Sequence, residues 1–382
     1  GRRPGRRAML RLALLCGCAR AVRVDVSGDL EFASDSVTSD AQLNRTYAQK
    51  NLMAPFAEAP PPVTRKPTLP MNWRTKLTLE GEKPLGVGGF GQVWRASVRC
   101  PGQDAVANDD LSLAVKFCTM PCDESEFELM EILDSHGLVK GFTHYGGHFS
   151  SMELLGPDLF ETLFAKGAPR LAPALQAQYV ADVLDGLVHI HGAGLVHRDI
   201  KLENVFVTLD GLHAKLGDFG LLCCRAKGYF EKWTRKSSCM YKGASIGTPC
   251  TGFAGTMTYI SPDYFRRGTS VFGTGQPGPR DDLWSLGMVV YMMLRRRMPP
   301  AFKGQLTEEV LEKVQGHIMH VPSTDASSKE LLLYHLLCSG DRCKPYKQRP
   351  FTTQDALDLA LDWLDDASGG LPEPAAAPVA TE

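Results

Sequence analysis

The stretch HRDIKLENV, residues 197–205, decides how the rest of this chain is interpreted. It places an acid at Asp199, a lysine at Lys201 and an asparagine at Asn204 within one short segment. By itself the stretch could also be an exposed charged turn. A little further on, KLGDFG supplies a second acid, Asp218. A carboxylate and an amide oxygen suit magnesium, which prefers oxygen ligands, so the surrounding chain must show whether these residues form a site.

A glycine-rich segment lies upstream of this stretch. Residues 86–91 read GVGGFG and fit the pattern G-x-G-x-x-G. Glycines let the backbone approach phosphate groups and point its amides at them. Dinucleotide-binding folds share the pattern, but there it opens a helix, whereas residues 92–98, QVWRASV, continue as a strand. The context therefore favours a glycine lid over a triphosphate.

The next strand carries a lysine in apolar surroundings. Residues 113–117 read LAVKF, and a lone lysine in a strand usually faces solvent. Because Lys116 follows the glycine turn, it resembles the lysine that holds the α- and β-phosphates of ATP. Such a lysine needs an anion to fix it. We expect Glu126, with apolar residues after it at helical spacing, and Glu128 and Glu131 remain alternatives.

Taken in order, these motifs resemble those of a eukaryotic protein kinase of the serine/threonine type, over roughly residues 76–366. The resemblance implies an α+β, bilobal protein kinase fold with a small β-rich N-lobe and a larger helical C-lobe. It implies ATP and Mg²⁺ as cofactors and a protein as substrate. Asp199 would accept or orient the proton of the attacking hydroxyl, and Lys201 would neutralise charge on the moving phosphoryl group. Asn204 and Asp218 would hold the magnesium.

The resemblance also implies a set of nucleotide contacts. Residues 152–159, MELLGPDL, resemble the hinge of the casein kinase one group, with Met152 as gatekeeper. The expected nucleotide-binding residues are Leu85, Gly86, Gly88, Gly91, Val93, Ala114, Lys116, Glu126, Met152, Glu153 and Leu155.

Residues 255–263, GTMTYISPD, resemble the end of a kinase activation segment, with Thr256 in the substrate-facing loop. Ser-Pro-Asp stands here in place of the usual Ala-Pro-Glu, so Asp263 is the acid that closes the segment. The resemblance implies that Arg349 forms an ion pair with Asp263. The motif DLWSLG implies that Asp282 braces the catalytic loop.

Two further features concern the activation segment. An insert at residues 223–243, CCRAKGYFEKWTRKSSCMYKG, is expected to be a disordered loop. In kinases of this type an arginine such as Arg198 often holds a phosphate, and Thr251 is the best-placed hydroxyl, with Thr248 and Ser245 as alternatives. Gly252 occupies the usual phosphorylated position. Arg198 could instead pair with a nearby acid, or the insert could order itself.

The ends of the chain differ in composition from its middle. Residues 1–21 are basic and then apolar and end in Ala-Arg-Ala, which is typical of a signal peptide, with a frayed terminus or gene-model artefact as alternatives. Residues 22–72 are an expected proline-rich linker containing the glycosylation sequon at Asn44. The kinase domain is expected at 73–366 and a disordered tail at 367–382.

Composition bounds the partners and the compartment. The formal net charge of the 382 residues is −1, which gives no reason to expect nucleic acid as a partner. No stretch is long and apolar enough for a transmembrane helix. Of the 11 cysteines, Cys338 and Cys343 could pair, as could Cys239 and Cys250, or all could stay reduced. The oligomeric state and the choice between secretory pathway and cytoplasm stay open.

Helical spacing predicts helices over residues 124–135, 173–194, 281–299, 308–319, 329–338 and 352–366, after a strand-rich beginning. Three functions fit the motifs: an active protein kinase, a pseudokinase that acts as a nucleotide-binding scaffold, and a small-molecule kinase. Pseudokinases typically lose the lysine or one of the two acids, and this chain keeps all three. The substrate-facing Thr256 and the SPD end favour a protein substrate over a small molecule.

Overall fold

The computed structural model divides the chain into two compact units. Of the described residues, the first unit holds those before Glu131 together with Lys140–Leu154, and the second holds Ile132–Val139 together with those from Leu155 onward. The structure describes residues 77–88, 91–98, 111–118, 129–130, 132–133, 135–145, 149–225, 239–241, 244–250, 253–269, 276–297, 316, 322–338, 343, 346 and 349–368. The expected signal peptide, the linker and Asn44 lie outside these residues. Among the described residues, no helix combines the length and apolarity that crossing a membrane requires.

The strands of the first unit form one antiparallel sheet. They are β1 (Leu77–Leu79), β2 (Gly86–Gly88), β3 (Gly91–Val98), β4 (Leu111–Cys118), β5 (Gly141–Tyr145) and β6 (Phe149–Glu153). The neighbours follow the order β1-β3-β4-β6-β5, and β2 pairs with β3. The strand predicted at residues 92–98 is confirmed as β3, and the chain bends between β1 and β2 at Gly81, where φ is +72°.

One face of this sheet carries the apolar core. Leu113 and Val115 alternate along β4 with Ala114 and Lys116, so the two pairs point to opposite faces. The fully buried members of the core are Leu77, Ala96, Val98, Leu113, Val115 and Phe149. Removing these apolar side chains from water stabilises the sheet by roughly 25 cal/mol per Å² of buried surface. Ala114 and Lys116 lie on the face opposite this core.

Short strands of the second unit surround the HRD stretch. They are β7 (Leu195–Val196), β8 (Val205–Val207), β9 (Ala214–Leu216), β10 (Cys223–Cys224), β11 (Cys239–Tyr241) and β12 (Ala244–Pro249). Strand β8 pairs with β9, and the other four form a sheet in the order β11-β12-β10-β7. The residues between β7 and β8, 197–204, are therefore held at both ends by strands.

The helices of the second unit begin and end at recognisable signals. They are α1 (Leu159–Phe164), α2 (Pro173–Gly192), α3 (Pro262–Thr269), α4 (Pro279–Arg295), α5 (Ser328–Leu337) and α6 (Thr353–Ser368). Asp158 caps α1 by accepting the backbone N–H of Glu161 at 2.7 Å, and Ser327 caps α5 in a capping box with Glu330. Arg296 ends α4 in the left-handed region at φ 50°.

Helix α4 lies in the interior of the second unit, and its residues from Asp281 to Met293 are all buried. A Cβ on Gly287 would lie 2.7 Å from the Leu337 side chain, so this glycine permits close packing of α5 on α4. Helix α6 packs mainly on α2 and α5. The prediction of a buried helix over this region is confirmed, although the helix begins at Pro279 and ends at Arg295.

The other predicted boundaries have mixed outcomes. The helices predicted at 173–194, 329–338 and 352–366 are confirmed within a few residues. Helix α6 continues to Ser368, two residues into the expected tail, and the rest of that tail lies outside the described residues. The insert prediction is wrong at both ends, where Cys223–Cys224 and Cys239–Tyr241 form strands. Most of the helix predicted at 124–135 and nearly all of that at 308–319 lie outside the described residues.

Two disulfides join described cysteines. Cys338 bonds to Cys343, one of the pairs left open by the sequence. Cys250 bonds to Cys223, so the alternative pair with Cys239 is wrong. The reason is topological, because β10 and β12 run parallel and bring the end of β12 beside Cys223, with Cα atoms 4.8 Å apart.

Candidate active site

The carboxylate of Asp199 is the centre of the hydrogen-bond network in the HRD stretch. It accepts the Lys201 ammonium group at 2.8 Å and the Thr256 hydroxyl at 2.6 Å. The backbone N–H of Thr256 donates to the same carboxylate at 3.1 Å, and Nδ2 of Asn204 donates to it at 3.2 Å. Asp199 is only 7% exposed. The structure thus brings together three predicted site residues and adds the hydroxyl of a fourth residue.

These contacts set the charge of the pair. Burial alone would raise the pKa of Asp199, but the charge and hydrogen bond of Lys201 and the hydroxyl of Thr256 outweigh it, so its pKa is lowered. Burial alone would lower the pKa of Lys201, but Asp199, followed by Asp218, holds it above its usual value. Both groups are therefore charged at neutral pH. The arrangement presents an ionised acid and a cation side by side.

The two predicted metal ligands carry oxygen atoms of the kind that a hard cation prefers. Asn204 donates its Nδ2 hydrogens to the carbonyl and carboxylate of Asp199, which leaves Oδ1 as its acceptor atom. Asp218, at φ 59°, makes no hydrogen bond or ion pair within the part of the chain that the structure describes. Its half-buried carboxylate therefore fits a hard cation such as Mg²⁺.

Asp282, in the first turn of α4, fixes the beginning of the HRD stretch. Its carboxylate accepts the backbone N–H groups of His197 at 2.8 Å and Arg198 at 2.9 Å. It also lies 2.8 Å from Nε2 of His191, whose other ring nitrogen contacts the Thr353 hydroxyl. These bonds hold Arg198 at φ 70°, a conformation that non-glycine residues rarely adopt. The prediction that Asp282 braces this loop is confirmed.

His197 connects the HRD stretch to the DFG motif. Its Nε2 contacts the carbonyl of Gly217 at 3.2 Å, and its Nδ1 accepts the backbone N–H of Asp199. Its ring also meets the edge of Phe219, with ring centres 5.5 Å apart. Burial lowers the pKa of His197, and the neighbouring carboxylates only partly oppose this. A neutral ring suits one donated and one accepted hydrogen bond.

Arg198 contacts two groups of the described residues. Its Nε donates to the carbonyl of Leu221, and the Tyr264 hydroxyl lies beside its guanidinium group. Burial lowers the pKa of Arg198, and Tyr264 opposes that shift. Thr251, the hydroxyl expected to carry a phosphate, and Gly252 lie outside the described residues, as do the side chains of Thr248 and Ser245.

The end of the activation segment departs from the predicted pairing. Arg349 binds both carboxylate oxygens of Asp355, each at 2.6 Å, so the predicted pair of Arg349 and Asp263 is wrong. Asp355 is the nearer acid in sequence and lies in the first turn of α6. Asp263 accepts Arg266 at 2.8 Å, one turn along α3. Burial lowers the pKa of Arg280, and the charge of Asp263 is the main influence that opposes it.

In the first unit, four predicted nucleotide-binding residues share one face of the sheet. Val93 pairs with Lys116 across β3 and β4, and Ala114 pairs with Met152 across β4 and β6. Directly paired residues lie on the same face of a sheet, here the face opposite the apolar core. Leu85 precedes β2, is 57% exposed and donates its N–H to the carbonyl of Val93.

The glycines of β2 and β3 are needed for different reasons. A Cβ on Gly91 would lie 2.0 Å from the carbonyl oxygen of Phe117, so packing within the sheet requires glycine there. A Cβ on Gly86 would meet nothing within 4 Å, so the fold itself does not require it. An open backbone at Gly86 fits a phosphate group that approaches it closely. Gly88 pairs with Gly91 at the tip of this hairpin.

Three predicted nucleotide-binding residues remain, namely Glu153, Leu155 and Glu126. Glu153 uses its backbone N–H and its carboxylate on the backbone of Lys140, at 2.9 and 2.6 Å. Leu155 belongs to the second unit. Glu126 and its alternatives Glu128 and Glu131 lie outside the described residues, so the partner of Lys116 stays a prediction.

Comparison with known proteins gives the family. Residues 79–356 match the sequence profile of the protein kinase domain. The chain belongs to the eukaryotic serine/threonine protein kinase superfamily. Its sheet-rich first unit and helical second unit are those of the two-lobed kinase fold.

Curated relatives agree with this assignment. The chain is 28% identical over 276 residues to 3-phosphoinositide-dependent protein kinase 1 of Arabidopsis thaliana, covering 71% of this chain and 52% of the relative. It is 30% identical to serine/threonine-protein kinase MRCK gamma of Homo sapiens, covering 67% and 16%. It is 30% identical to protein kinase C delta type of Mus musculus, covering 65% and 34%. The chain thus spans about half or less of the length of these relatives.

Sequence reasoning missed three contacts of the kinase site. It did not predict that His191 would join Asp282, that Tyr264 would lie beside Arg198, or that Cys223 would bond to Cys250. The cysteines carried a usable signal, because they bracket the insert. Tyr264 carried none, since its position beside Arg198 depends on how α3 packs.

Proposed function

We propose that this chain is an ATP-dependent protein kinase that uses Mg²⁺ and phosphorylates serine and threonine hydroxyls. The observation that carries the proposal is the Asp199 carboxylate, which holds a hydroxyl at 2.6 Å and the Lys201 ammonium group at 2.8 Å. Phosphoryl transfer to a hydroxyl needs a carboxylate that orients the attacking oxygen and a cation near the moving negative charge. Both groups are present and charged.

The reaction forms a bond between the substrate oxygen and the γ-phosphorus and breaks the bond to ADP. Asp199 would orient the substrate hydroxyl and take up its proton, which then passes to solvent. Lys201 would stabilise the negative charge on the transferred group. Thr256, which now fills a hydrogen-bonding position on Asp199, would lie beside the incoming serine or threonine. Lys116 and Gly86 would bind phosphates of the nucleotide.

Bound Mg²⁺ would neutralise phosphate charge, and Asn204 and Asp218 are the residues that would hold it. We expect Asp218→Ala to reduce nucleotide affinity in magnesium to the value measured without the metal, because it removes the one proposed carboxylate ligand. Its melting temperature should fall only slightly, since the carboxylate makes no hydrogen bond or ion pair with described residues and acts on Lys201 through its charge alone. Nucleotide titrations with and without magnesium test this, and an unchanged magnesium dependence would contradict it.

The activity itself is tested by incubating the oxidised chain with labelled ATP, magnesium and generic protein substrates. Phosphoserine and phosphothreonine in the products support the proposal. Nucleotide binding without any transfer would favour the pseudokinase scaffold. Transfer only to small hydroxyl compounds would favour a small-molecule kinase.

We also propose that the chain works in an oxidising compartment, in the secretory pathway or outside the cell. The disulfides Cys223–Cys250 and Cys338–Cys343 support this, because such bonds are rare in reducing compartments. The signal-like residues 1–21 and the sequon at Asn44 point the same way. Expression in cells followed by glycosidase treatment provides the test. A chain that stays in the cytosol, unglycosylated and with reduced thiols, would contradict this proposal.

A further inference from the structure

The disulfide between Cys223 and Cys250 joins an early and a later part of the activation segment. Cys223 follows the DFG motif that contains Asp218, and Cys250 precedes the loop that carries Thr256. The bond therefore connects the part of the segment next to a proposed metal ligand with the part that touches Asp199. Opening this bond can therefore displace both parts of the segment.

The strands around the disulfide link it to the catalytic loop. Cys223 pairs with Val196 on β7, the residue directly before the HRD stretch. Val196, Cys223 and Cys250 form a cluster that is at most 1% exposed. The backbone N–H of Cys250 donates to the carbonyl of Cys224 at 2.9 Å. The disulfide thus joins the start of the substrate-facing loop to the strand beside the catalytic loop.

Beyond the disulfide, the segment closes tightly on the catalytic loop. A Cβ on Gly255, which has φ +119°, would lie 2.5 Å from the carbonyl oxygen of Arg198. The next residue, Thr256, makes two hydrogen bonds to Asp199. The hydroxyl of Tyr264 accepts the backbone N–H of Ala254 at 3.1 Å and also lies beside Arg198. Tyr264 therefore links the start of this loop to Arg198 of the catalytic loop.

We propose that the Cys223–Cys250 disulfide, rather than a phosphate on the activation segment, positions Thr256 and Asp199 for phosphoryl transfer. Cys223 and Cys250 are positioning residues, because they act through the segment and touch no reactant. The oxidised chain is active without phosphorylation, and reduction of this bond switches it off. The proposal rests on the kinase activity proposed above.

The switching step is an exchange with a dithiol. A thiolate of the dithiol attacks one sulfur of the disulfide, and the mixed disulfide that results is resolved by the second thiol of the reagent. The protein gains two electrons and two protons as two free thiols, and the dithiol becomes a disulfide. Because the cysteines are at most 1% exposed, we expect this step to be slow under native conditions.

The test compares two disulfides in the same chain. The double variant Cys223→Ser with Cys250→Ser should lose about 10²-fold in kcat while its KM for ATP stays unchanged, because a small displacement of reacting groups is enough for such a loss. The matched control is Cys338→Ser with Cys343→Ser, which removes the disulfide after α5 and should keep the parent kcat. Parental kcat in the first variant would overturn the proposal.

Two further measurements keep the proposal testable if the first variant does not fold. The native parent can be reduced with dithiothreitol, and alkylation with mass spectrometry then gives the fraction of open Cys223. Activity should fall in step with that fraction and return on reoxidation, and activity that survives full opening of the bond contradicts the proposal. Phosphatase treatment of the oxidised parent should leave kcat unchanged, whereas loss of activity would show that a phosphate is required.

A readout that needs no activity separates this proposal from the proposed function. Hydrogen exchange at the backbone N–H groups of Cys250 and Thr256 should be slow in the oxidised parent and fast after reduction, because their acceptors then move away. Slow exchange in both states would overturn the positioning role even in an active kinase. If the oxidised parent transfers no phosphate but shows this change in exchange, the kinase assignment fails and the structural effect of the disulfide stands.

Discussion

The catalytic loop and the activation segment are held in place by different chemistry. The catalytic loop depends on hydrogen bonds to a buried acid, Asp282, which binds two successive backbone N–H groups and His191. The activation segment depends on a covalent bond between Cys223 and Cys250 and on close packing against Arg198. The difference teaches that one chain can place two neighbouring parts of a site under separate controls, the first sensitive to charge and the second to oxidation.

The largest expected effect lies at the point where the two regions meet. Asp199→Asn should lower kcat by about 10²- to 10⁴-fold, because the amide cannot accept the proton of the substrate hydroxyl. Its unfolding free energy should change by only about 1 kcal/mol, since the amide can keep part of the contacts to Lys201 and Thr256. Steady-state kinetics and thermal melting of the purified variant check both values. A variant with near-normal kcat would show that Asp199 has another role.

The next effect isolates the hydrogen-bonded region. Asp282→Ala should destabilise the fold by about 3–5 kcal/mol, because it leaves buried N–H groups and His191 without their acceptor. Asp362→Ala provides the control, since it removes an exposed acid from α6 and should cost about 0.5 kcal/mol or less. Urea denaturation measures both. Similar values for the two variants would mean that Asp282 does not hold the catalytic loop.

A smaller effect on stability is expected when either disulfide is removed. The entropy of closing a loop predicts that losing Cys223–Cys250, with a separation of 27 residues, costs about 3.5 kcal/mol of unfolding free energy. Losing Cys338–Cys343, with a separation of 5, should cost about 2 kcal/mol. Denaturation of the two serine double variants gives the difference. The reverse order of stabilities would rule out loop closure as the main contribution of these bonds.

The smallest expected effect is the loss of stability in mild acid that comes from His335. This loss must be known before the pH dependence of unfolding is used to study the region around Asp282. Burial lowers the pKa of His335 to about 4, with Arg280 acting in the same direction. The unfolded chain therefore takes up the proton first, and stability is lost as the pH falls from about 6.5 towards 4. Between pH 7 and pH 6 this should cost about 0.7 kcal/mol.

The variant His335→Phe should remove this loss, because a phenyl ring can stack on Phe351 as the imidazole does and does not titrate. Unfolding curves of the parent and the variant at both pH values measure the difference. Equal losses in the two proteins would show that the acid sensitivity comes from elsewhere, and His197 and Asp282 would be the next groups to examine.

The sequence predicted the parts of this molecule that depend on local pattern. Apolar spacing predicted α2, α4, α5 and α6, and the motifs identified the residues that gather around Asp199. It also predicted the role of Asp282, because an acid at that position of the motif has a fixed geometric relation to the catalytic loop. These features need only a few neighbouring residues to be recognised.

The two wrong pairings have different causes. Arg349 was assigned to Asp263 by resemblance, but Asp355 is closer in sequence and its carboxylate also caps α6 through Thr352. The partner of Cys250 depended on the parallel pairing of β10 with β12, which composition does not reveal. The Arg349–Asp355 pair is a local contact that the resemblance overrode, whereas the partner of Cys250 depends on where β12 packs.

The most direct test of the central claim follows bound nucleotide and transferred phosphate in one sample. The oxidised chain, in excess over γ-labelled ATP with magnesium, is mixed with a serine- and threonine-containing protein substrate, and the label is traced over one turnover. Our account predicts that the bound label moves from ATP to substrate hydroxyls in the parent and stays on ATP in Asp199→Asn. ATP that is bound in full by the parent and remains uncleaved would contradict the account.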